Sequence, residues 1–133
     1  MPRLLSVSHT EQAVIDRRKT VTRRLGWRKL TEGTRLTLCR KVMGRRRDEP
    51  LVRLAEVEVV NVHRERLWHI TDEDILREGV AGDHWLETYT EHDNPAMIGQ
   101  PTPGAWVAWF AEVMGCNPED YVTVIEWRYL DGQ

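Results

Sequence analysis

The residues of this sequence best suited to chemistry lie in one short basic segment, DRRKTVTRRLGWRK, residues 16–29. Lys19 and Thr22 stand three positions apart in it, among six further lysines and arginines. A threonine hydroxyl becomes a good nucleophile only when a neighbouring base removes its proton. Lysine serves as that base when burial or nearby positive charge lowers its pKa below about 10.4. The segment therefore predicts an activated threonine or a phosphate-binding cluster, with a solvated basic loop as the plain alternative.

Aromatic side chains near this segment are candidates for stacking on a nucleobase. Trp27 adjoins it, and Trp85 follows a predicted helix farther along the chain. Trp106 and Trp109 have helical spacing and are interpreted as core residues. The histidines have no metal-ligand spacing and the two cysteines are far apart, so neither a metal nor a cofactor is expected.

The charge is distributed unevenly along the chain. Residues 1–53 carry 15 Lys and Arg against five acids, a net +10, whereas residues 54–133 carry 4 against 16, a net −12. A basic half favours a polyanionic partner, because Lys and Arg displace the counterions of phosphates. The alternative is that the two halves interleave in space and their charges pair. The acidic run at 87–93 is a weaker candidate for a protein-binding surface.

The first half of the sequence predicts strands around one short helix. Residues 2–7 read as an apolar strand, and Ser8 with Glu11 has the spacing of a capping box, which predicts a helix directly afterwards. Residues 19–27 favour an extended path, because Thr20, Val21 and Thr22 are β-branched.

The middle of the sequence predicts a hairpin. Residues 34–43 alternate as a half-buried strand, residues 44–50 form the tip, and residues 51–65 return as a long strand. The apolar phase shifts from Val57 and Val59 to Val60 and Val62, which predicts a bulge or a strong bend.

The remaining elements are helices and a final strand. Thr71 is a helix cap with Gly79 as the stop, a further short helix is expected within 81–95, and Thr102 with Pro103 begins another. Residues 121–130 close the chain as a strand. The pattern predicts an α+β fold, a small bent or closed β-barrel with short helices packed at its ends. We expect a single domain over residues 1–133, cytoplasmic and without a membrane segment.

Several segments in their order resemble the ASCH domain family of the PUA-like superfamily. These are RKTVTRR after a first strand and helix, TEGTRLTL as a glycine turn into a strand, ITDEDILREGV as a later helix, and VTVIEWRYL as the last strand. The resemblance spans roughly residues 3–130 and implies a PUA-like barrel that binds RNA or a modified nucleoside.

The same resemblance implies a possible activity. Some bacterial members are amidohydrolases that remove the acetyl group from N4-acetylcytidine with a Lys-x-x-Thr pair and a distant glutamate. By resemblance, Lys19 is the base, Thr22 the nucleophile and Glu78 the proton donor, while Arg24 occupies the place of the motif arginine. The position two before the lysine is usually glycine in the family, but here it is Arg17.

Two functions follow as alternatives: a module that binds nucleic acid or a modified nucleoside in a basic cleft around residues 17–28 and Glu78, and an amidohydrolase. In the second, Lys19, Thr22 and Glu78 would be catalytic. On an extended strand Lys19 and Thr22 would point to opposite faces, so catalysis requires a turn between them. Glu78 pairing with an arginine such as Arg24 is the purely structural reading. The binding interpretation assigns the following residues to nucleic acid: Arg17, Arg18, Arg23, Arg24, Trp27, Arg28 and Trp85.

Overall fold

The structure is a computed structural model that describes residues 2–79 and 102–131. Its strands are β1 (Arg3–Ser6), β2 (Val21–Arg24), β3 (Arg35–Cys39), β4 (Arg53–Arg66) and β5 (Tyr121–Tyr129). Its α-helices are α1 (Glu11–Ile15), α2 (Asp72–Glu78) and α3 (Pro103–Met114), with 3-10 turns at Ser8–Thr10 and Leu67–His69. The helix expected within 81–95, together with Trp85 and the acidic run, lies outside the described residues.

The five strands form one mixed sheet in the order β1-β3-β4-β5-β2. Only the β1–β3 pair is parallel. In a flat sheet the two edge strands would lie about 19 Å apart, at about 4.8 Å per strand. Yet Nη2 of Arg24, in edge strand β2, donates to the Ser6 carbonyl of edge strand β1 at 2.5 Å. The sheet is therefore strongly curled into a half-barrel, and this confirms the α+β class and the bent barrel.

The phase shift in the long strand is a β-bulge. Val59 pairs with Trp127 and Asn61 pairs with Glu126, so Val60 has no partner in the ladder. The Val60 side chain is consequently exposed. The bulge increases the local twist of β4, and the predicted bend is confirmed.

Both faces of the sheet are covered. Ile125, Trp127 and Tyr129 project from β5 into one apolar cluster with β3 and β4. Val122 and Val124 project from the same strand into a second cluster, which α3 covers with Trp106 and Phe110. The candidate site lies where edge strand β2 meets this second cluster.

Most of the predicted helix signals are present. The Thr71 hydroxyl accepts from the Asp74 amide in a capping box, and Gly79 ends α2 in a left-handed conformation. The Thr102 hydroxyl accepts from the Ala105 amide at 3.1 Å, with Pro103 at the start of α3.

Two local predictions were wrong. The capping box of Ser8 and Glu11 does not form: no side chain caps either the 3-10 turn or α1. The Glu11 carboxylate accepts from Arg40 at 2.8 Å instead, so a tertiary ion pair replaces the local one. Strand β3 is also buried on both faces rather than half-buried, since Thr37 and Cys39 are buried beside the leucines.

Candidate functional site

Lys19 is the centre of the candidate site and is almost completely buried, with 2% of its surface exposed. Its Nζ donates to the backbone carbonyl of Glu78 at 2.9 Å and to Glu78 Oε1 at 3.1 Å. Burial lowers the pKa of the Lys19 ammonium; Glu78 opposes the shift, and Arg24 and Arg23 add to it. Lys19 is therefore neutral more often than a lysine in solvent, as a base must be.

Two side chains of β5 hold the backbone of Lys19 in place by hydrogen bonds. Its carbonyl oxygen accepts from Trp127 Nε1 at 3.1 Å and from the Tyr129 hydroxyl at 2.5 Å. Both donors are buried. Because Lys19 lies in the turn before β2, the alternation of a strand does not separate it from Thr22, and the two residues line one cavity.

Arg17, where the resemblance described above leads one to expect glycine, makes a turn before Lys19. Its φ of 63° lies in the left-handed region, which costs a non-glycine residue about 1–2 kcal/mol. The guanidinium donates to Asp131 at 2.9 Å and to the Val14 carbonyl at 2.8 Å, and it lies 5.0 Å from the Tyr129 ring. These contacts hold a left-handed turn at a residue that is not glycine.

The carboxylate of Glu78 is held between Lys19 and Arg23. Oε1 accepts from Lys19, and Oε2 accepts from Arg23 Nη1 at 3.0 Å. Glu78 is itself 3% exposed. The predicted arginine partner was Arg24, but the ion pair is made by Arg23, because Arg23 faces α2 from β2 while Arg24 faces β1.

The guanidinium of Arg23 forms ion pairs with acidic side chains. Besides Glu78, its Nη2 donates to Asp74 at 3.1 Å and to Glu65 at 3.3 Å. The guanidinium links β2 to α2 and β4, and it is buried with no surface open to a phosphate.

Arg24 has different surroundings. Within residues 2–79 and 102–131 it forms no ion pair, and its buried Nε has no hydrogen-bond partner. Burial lowers the pKa of the Arg24 guanidinium, and the charge of Glu78 opposes that shift. Arg24 is therefore a partly buried cation that makes no ion pair with the described residues.

A cavity of about 240 Å³ brings these side chains together. Its polar wall consists of Lys19, Thr22, Arg23, Arg24 and Glu78, all of them from β2, the preceding turn and the end of α2. Thr22 is buried, and its hydroxyl has no hydrogen-bond partner among the described residues. The three residues predicted as catalytic thus line one cavity.

The opposite wall of the cavity is aromatic and was not predicted. Trp106, Trp109 and Phe110 belong to the core, as expected, but they also line the cavity. Trp106 stacks on Phe110 with ring centroids 5.0 Å apart. Helical spacing placed these rings on one face, but it gave no indication that this face meets the basic segment.

His9 lies at the mouth of the cavity and was also missed. Its ring meets Trp109 edge to face at 5.2 Å. Burial and the charge of Arg24 lower the pKa of His9, which favours the neutral imidazole at the opening.

Other residues assigned to nucleic acid lie elsewhere. Arg18 is exposed near Asp16, Arg28 is exposed on a neighbouring groove, and Trp27 packs under Arg3 at 4.1 Å. None of these three lines the cavity. Trp85 lies outside the described residues.

The two oppositely charged halves of the sequence interleave at the site. Arg17 pairs with Asp131, Lys19 with Glu78, and Arg23 with three acids of the second half. Much of the basic segment is therefore internally neutralised.

The described residues contain no group of three or more His, Cys, Asp or Glu side chains suited to a metal ion. In the same part of the chain, no helix has the length and apolar character needed to cross a membrane.

Two solved structures share this fold. The protein EF3133 from Enterococcus faecalis V583, described with the family model DUF984, has a TM-score of 0.58 and 16% identity, over 98% of this chain and 80% of its own. The ASCH domain from Lactobacillus crispatus JV V101 has a TM-score of 0.53 and 8% identity, over 96% and 79%. No family model matches the sequence, and no curated protein matches it significantly. The fold is therefore of the ASCH type.

Proposed function

We propose that this protein binds the base of a single modified nucleoside in the cavity between β2 and α3. The observation that carries the proposal is the pairing of one polar wall with one aromatic wall around about 240 Å³. Pockets for drug-sized ligands measure about 300–1,000 Å³. This smaller space suits one base with a small substituent, and not a stack of bases.

Each wall supplies a different part of the recognition. The aromatic rings of α3 favour a flat ligand, since base–aromatic stacking contributes about 1–3 kcal/mol per base. Arg24 offers guanidinium donors that have no carboxylate partner among the described residues, and a base carbonyl or acyl oxygen would satisfy them. A buried polar group that needs its ligand discriminates strongly against ligands that lack the matching atom.

Binding is tested by calorimetric titration of cytidine and N4-acetylcytidine into the wild type and Arg24→Met. We expect the acetylated nucleoside to bind, and Arg24→Met to weaken it at least about tenfold, because a charge-assisted hydrogen bond is lost. Arg18→Met, at an exposed arginine away from the cavity, is the matched control. Equal affinities for wild type and Arg24→Met would contradict the assignment.

A second function, amide hydrolysis, is favoured by the burial of Lys19 beside Thr22 and Glu78. Lys19 would take the proton of the Thr22 hydroxyl, and Oγ1 would form a bond to the acyl carbon of an N4-acyl group. As the C–N bond breaks, the amine nitrogen would receive that same proton, passed from Lys19 Nζ through Glu78 Oε1, which lies 3.1 Å from Nζ. Water would then hydrolyse the threonyl ester and free the acid.

Hydrolysis is tested by following cytidine release from N4-acetylcytidine by chromatography. Thr22→Val keeps the side-chain shape and should reduce release to background, while nucleoside binding changes by less than about threefold. Thr20→Val, a threonine outside the cavity, is the control and should retain the activity. If the wild type releases no cytidine, the hydrolase proposal fails and the binding proposal stands.

A further inference from the structure

An open groove of about 650 Å³ lies beside the cavity and plays no part in the proposed base recognition. Arg28 and Arg64 line it, together with Leu25 and Tyr121, which are 38% and 51% exposed. Exposed apolar and aromatic surface next to two guanidinium groups is typical of sites that bind a ligand or a partner. It does not contribute to the core of the fold.

The two arginines of the groove form no ion pair within residues 2–79 and 102–131. In that part of the chain, Arg64 donates to neutral oxygens: the Thr123 hydroxyl at 2.7 Å and the carbonyls of Leu25 and Tyr121, both at 3.3 Å. Arg28 makes no hydrogen bond or ion pair within residues 2–79 and 102–131. In this they differ from Arg17, Lys19 and Arg23, whose charges are all paired.

The two guanidinium groups also repel each other. Burial lowers the pKa of Arg64, and the charge of Arg28 lowers it further. A third arginine, Arg66, lies over the Tyr121 ring at 4.8 Å and extends the positive surface. Asp120 also lines the groove, but its Oδ2 accepts from the Asn117 amide at 2.9 Å. An anion between the arginines would relieve their repulsion.

The groove and the cavity meet along two chain segments. Arg24 lines the cavity and Leu25 the groove; Met114 lines the cavity and Gly115 the groove. Successive Cα atoms are about 3.8 Å apart, so at both places the same stretch of backbone borders the two spaces. A ligand whose base fills the cavity would project its sugar and phosphate towards the groove.

We propose that Arg28 and Arg64 bind the phosphate of the nucleotide whose base occupies the cavity, so that the ligand is phosphorylated rather than a bare nucleoside. The inference rests on the proposed function and adds the substrate class to it. A free nucleotide and a nucleic-acid strand supply the same phosphate chemistry, and the experiment separates them.

Equilibrium dialysis measures the affinity of the protein for four ligands. These are N4-acetylcytidine, its 5′-monophosphate, its 3′-monophosphate, and an RNA hexamer that contains one N4-acetylcytidine. Chromatography counts acetylated and deacetylated species separately, so turnover does not distort the affinities. We expect at least one monophosphate to bind about tenfold tighter than the nucleoside at low salt. A hexamer that binds tighter than both monophosphates would identify a strand as the ligand, and equal affinities would identify the nucleotide.

The variants are Arg28→Glu and, as the matched control, Lys29→Glu. Both residues are exposed and neighbouring and undergo the same charge change, but Lys29 does not line the groove. Arg28→Glu should abolish the affinity that phosphate adds and leave nucleoside binding unchanged. It should also reduce the salt dependence of nucleotide binding by about one phosphate contact. Lys29→Glu should keep most of that added affinity.

The outcomes distinguish the two proposals. If the nucleoside binds and phosphate adds nothing, or if both variants lose affinity equally, the groove inference is overturned and the proposed function remains. If the nucleoside does not bind but the hexamer binds and responds to Arg28→Glu alone, the groove binds phosphate without a base in the cavity, and the base-recognition proposal fails. If no ligand binds, both are wrong.

Discussion

Arg23 and Arg24 are consecutive residues whose side chains have opposite surroundings. Arg23 meets three carboxylates, whereas Arg24 meets a backbone carbonyl; the Nε atom of each has no hydrogen-bond partner among the described residues. Successive residues of a strand point to opposite faces, so one arginine turns towards α2 and the other towards β1. A sequence pattern of two adjacent arginines cannot separate these roles, because the distinction depends on which acids the fold brings close.

Replacing Arg23 should destabilise the protein strongly. Arg23→Met removes the positive charge that pairs with the carboxylates of Glu78, Asp74 and Glu65. Breaking a buried ion pair costs about 3–5 kcal/mol. Arg23→Lys should recover little, because one ammonium cannot reach three carboxylates in the geometry of a guanidinium. Urea unfolding measures the free energy. Arg18→Met, at an exposed arginine, should change it by less than about 0.5 kcal/mol, and an equally small effect of Arg23→Met would refute the structural role.

Lys19 should make stability depend on pH. The pKa of a lysine in an unfolded chain is about 10.4, and burial lowers the pKa of Lys19 in the folded protein. Between these two values the unfolded chain binds more protons, so the free energy of unfolding rises with pH. The contribution of Lys19 is therefore least favourable below its folded pKa and improves as pH rises towards about 10.4.

The check is urea unfolding of wild type and Lys19→Met from pH 7 to pH 10. The wild type should gain stability relative to Lys19→Met across this interval, with Lys29→Met as the control at an exposed lysine. Parallel wild-type and Lys19→Met curves would show that burial does not shift this lysine.

Among the elements, sequence patterns were informative where the deciding interaction is local. The alternation of β4 changes phase at Val60, and the ladder has its bulge there. Thr71 and Thr102 each cap the helix that follows. The pattern at Ser8 was misleading because Glu11 has a better partner in Arg40, which is distant in the sequence. The aromatic cavity wall was missed for the same reason, since it forms only when α3 packs beside β2.

Gly79 is the point where α2 approaches the turn that carries Lys19. A Cβ built on Gly79 would lie 2.4 Å from the Ala13 Cβ and 3.2 Å from the Lys19 Cβ. The residue also has a φ of 83°. This close approach is what allows the Glu78 carbonyl, at the end of α2, to accept from Lys19 Nζ.

Gly79→Ala should therefore destabilise the protein by more than backbone strain alone. Gly33→Ala is the matched control, because Gly33 has a similar φ of 87° with open space around its Cβ. The control should cost about 1–2 kcal/mol, and Gly79→Ala about 1–3 kcal/mol more, from overpacking. Adding Ala13→Gly should recover part of that excess. Equal losses for the two glycines in urea unfolding would mean that the approach of α2 is not tight.

At the scale of the whole molecule, the charges of the two halves of the sequence are paired in one place and unpaired in another. Near the cavity the halves pair with each other, as Arg17 does with Asp131 and Lys19 with Glu78. At the groove, Arg28 and Arg64 stay unpaired within the described residues. Composition alone could show the excess of each sign, but the partners are set by strand order, because β2 lies beside β5 rather than beside its neighbours in the sequence.

Arg24 should be nearly dispensable for the stability of the whole fold, unlike Arg23. It closes the half-barrel through one hydrogen bond to Ser6, but burying its charge without a carboxylate carries a desolvation cost that this bond only partly offsets. Replacing buried charge by apolar groups of similar volume is often neutral or stabilising.

Arg24→Met should thus leave the free energy of unfolding within about 1 kcal/mol of the wild-type value, or raise that free energy. The same substitution should weaken nucleoside binding. Urea unfolding and calorimetry on the same preparation give both quantities. A large loss of stability would make Arg24 a structural residue, whereas unchanged stability with lost binding would mean that the fold retains this charge for its ligand.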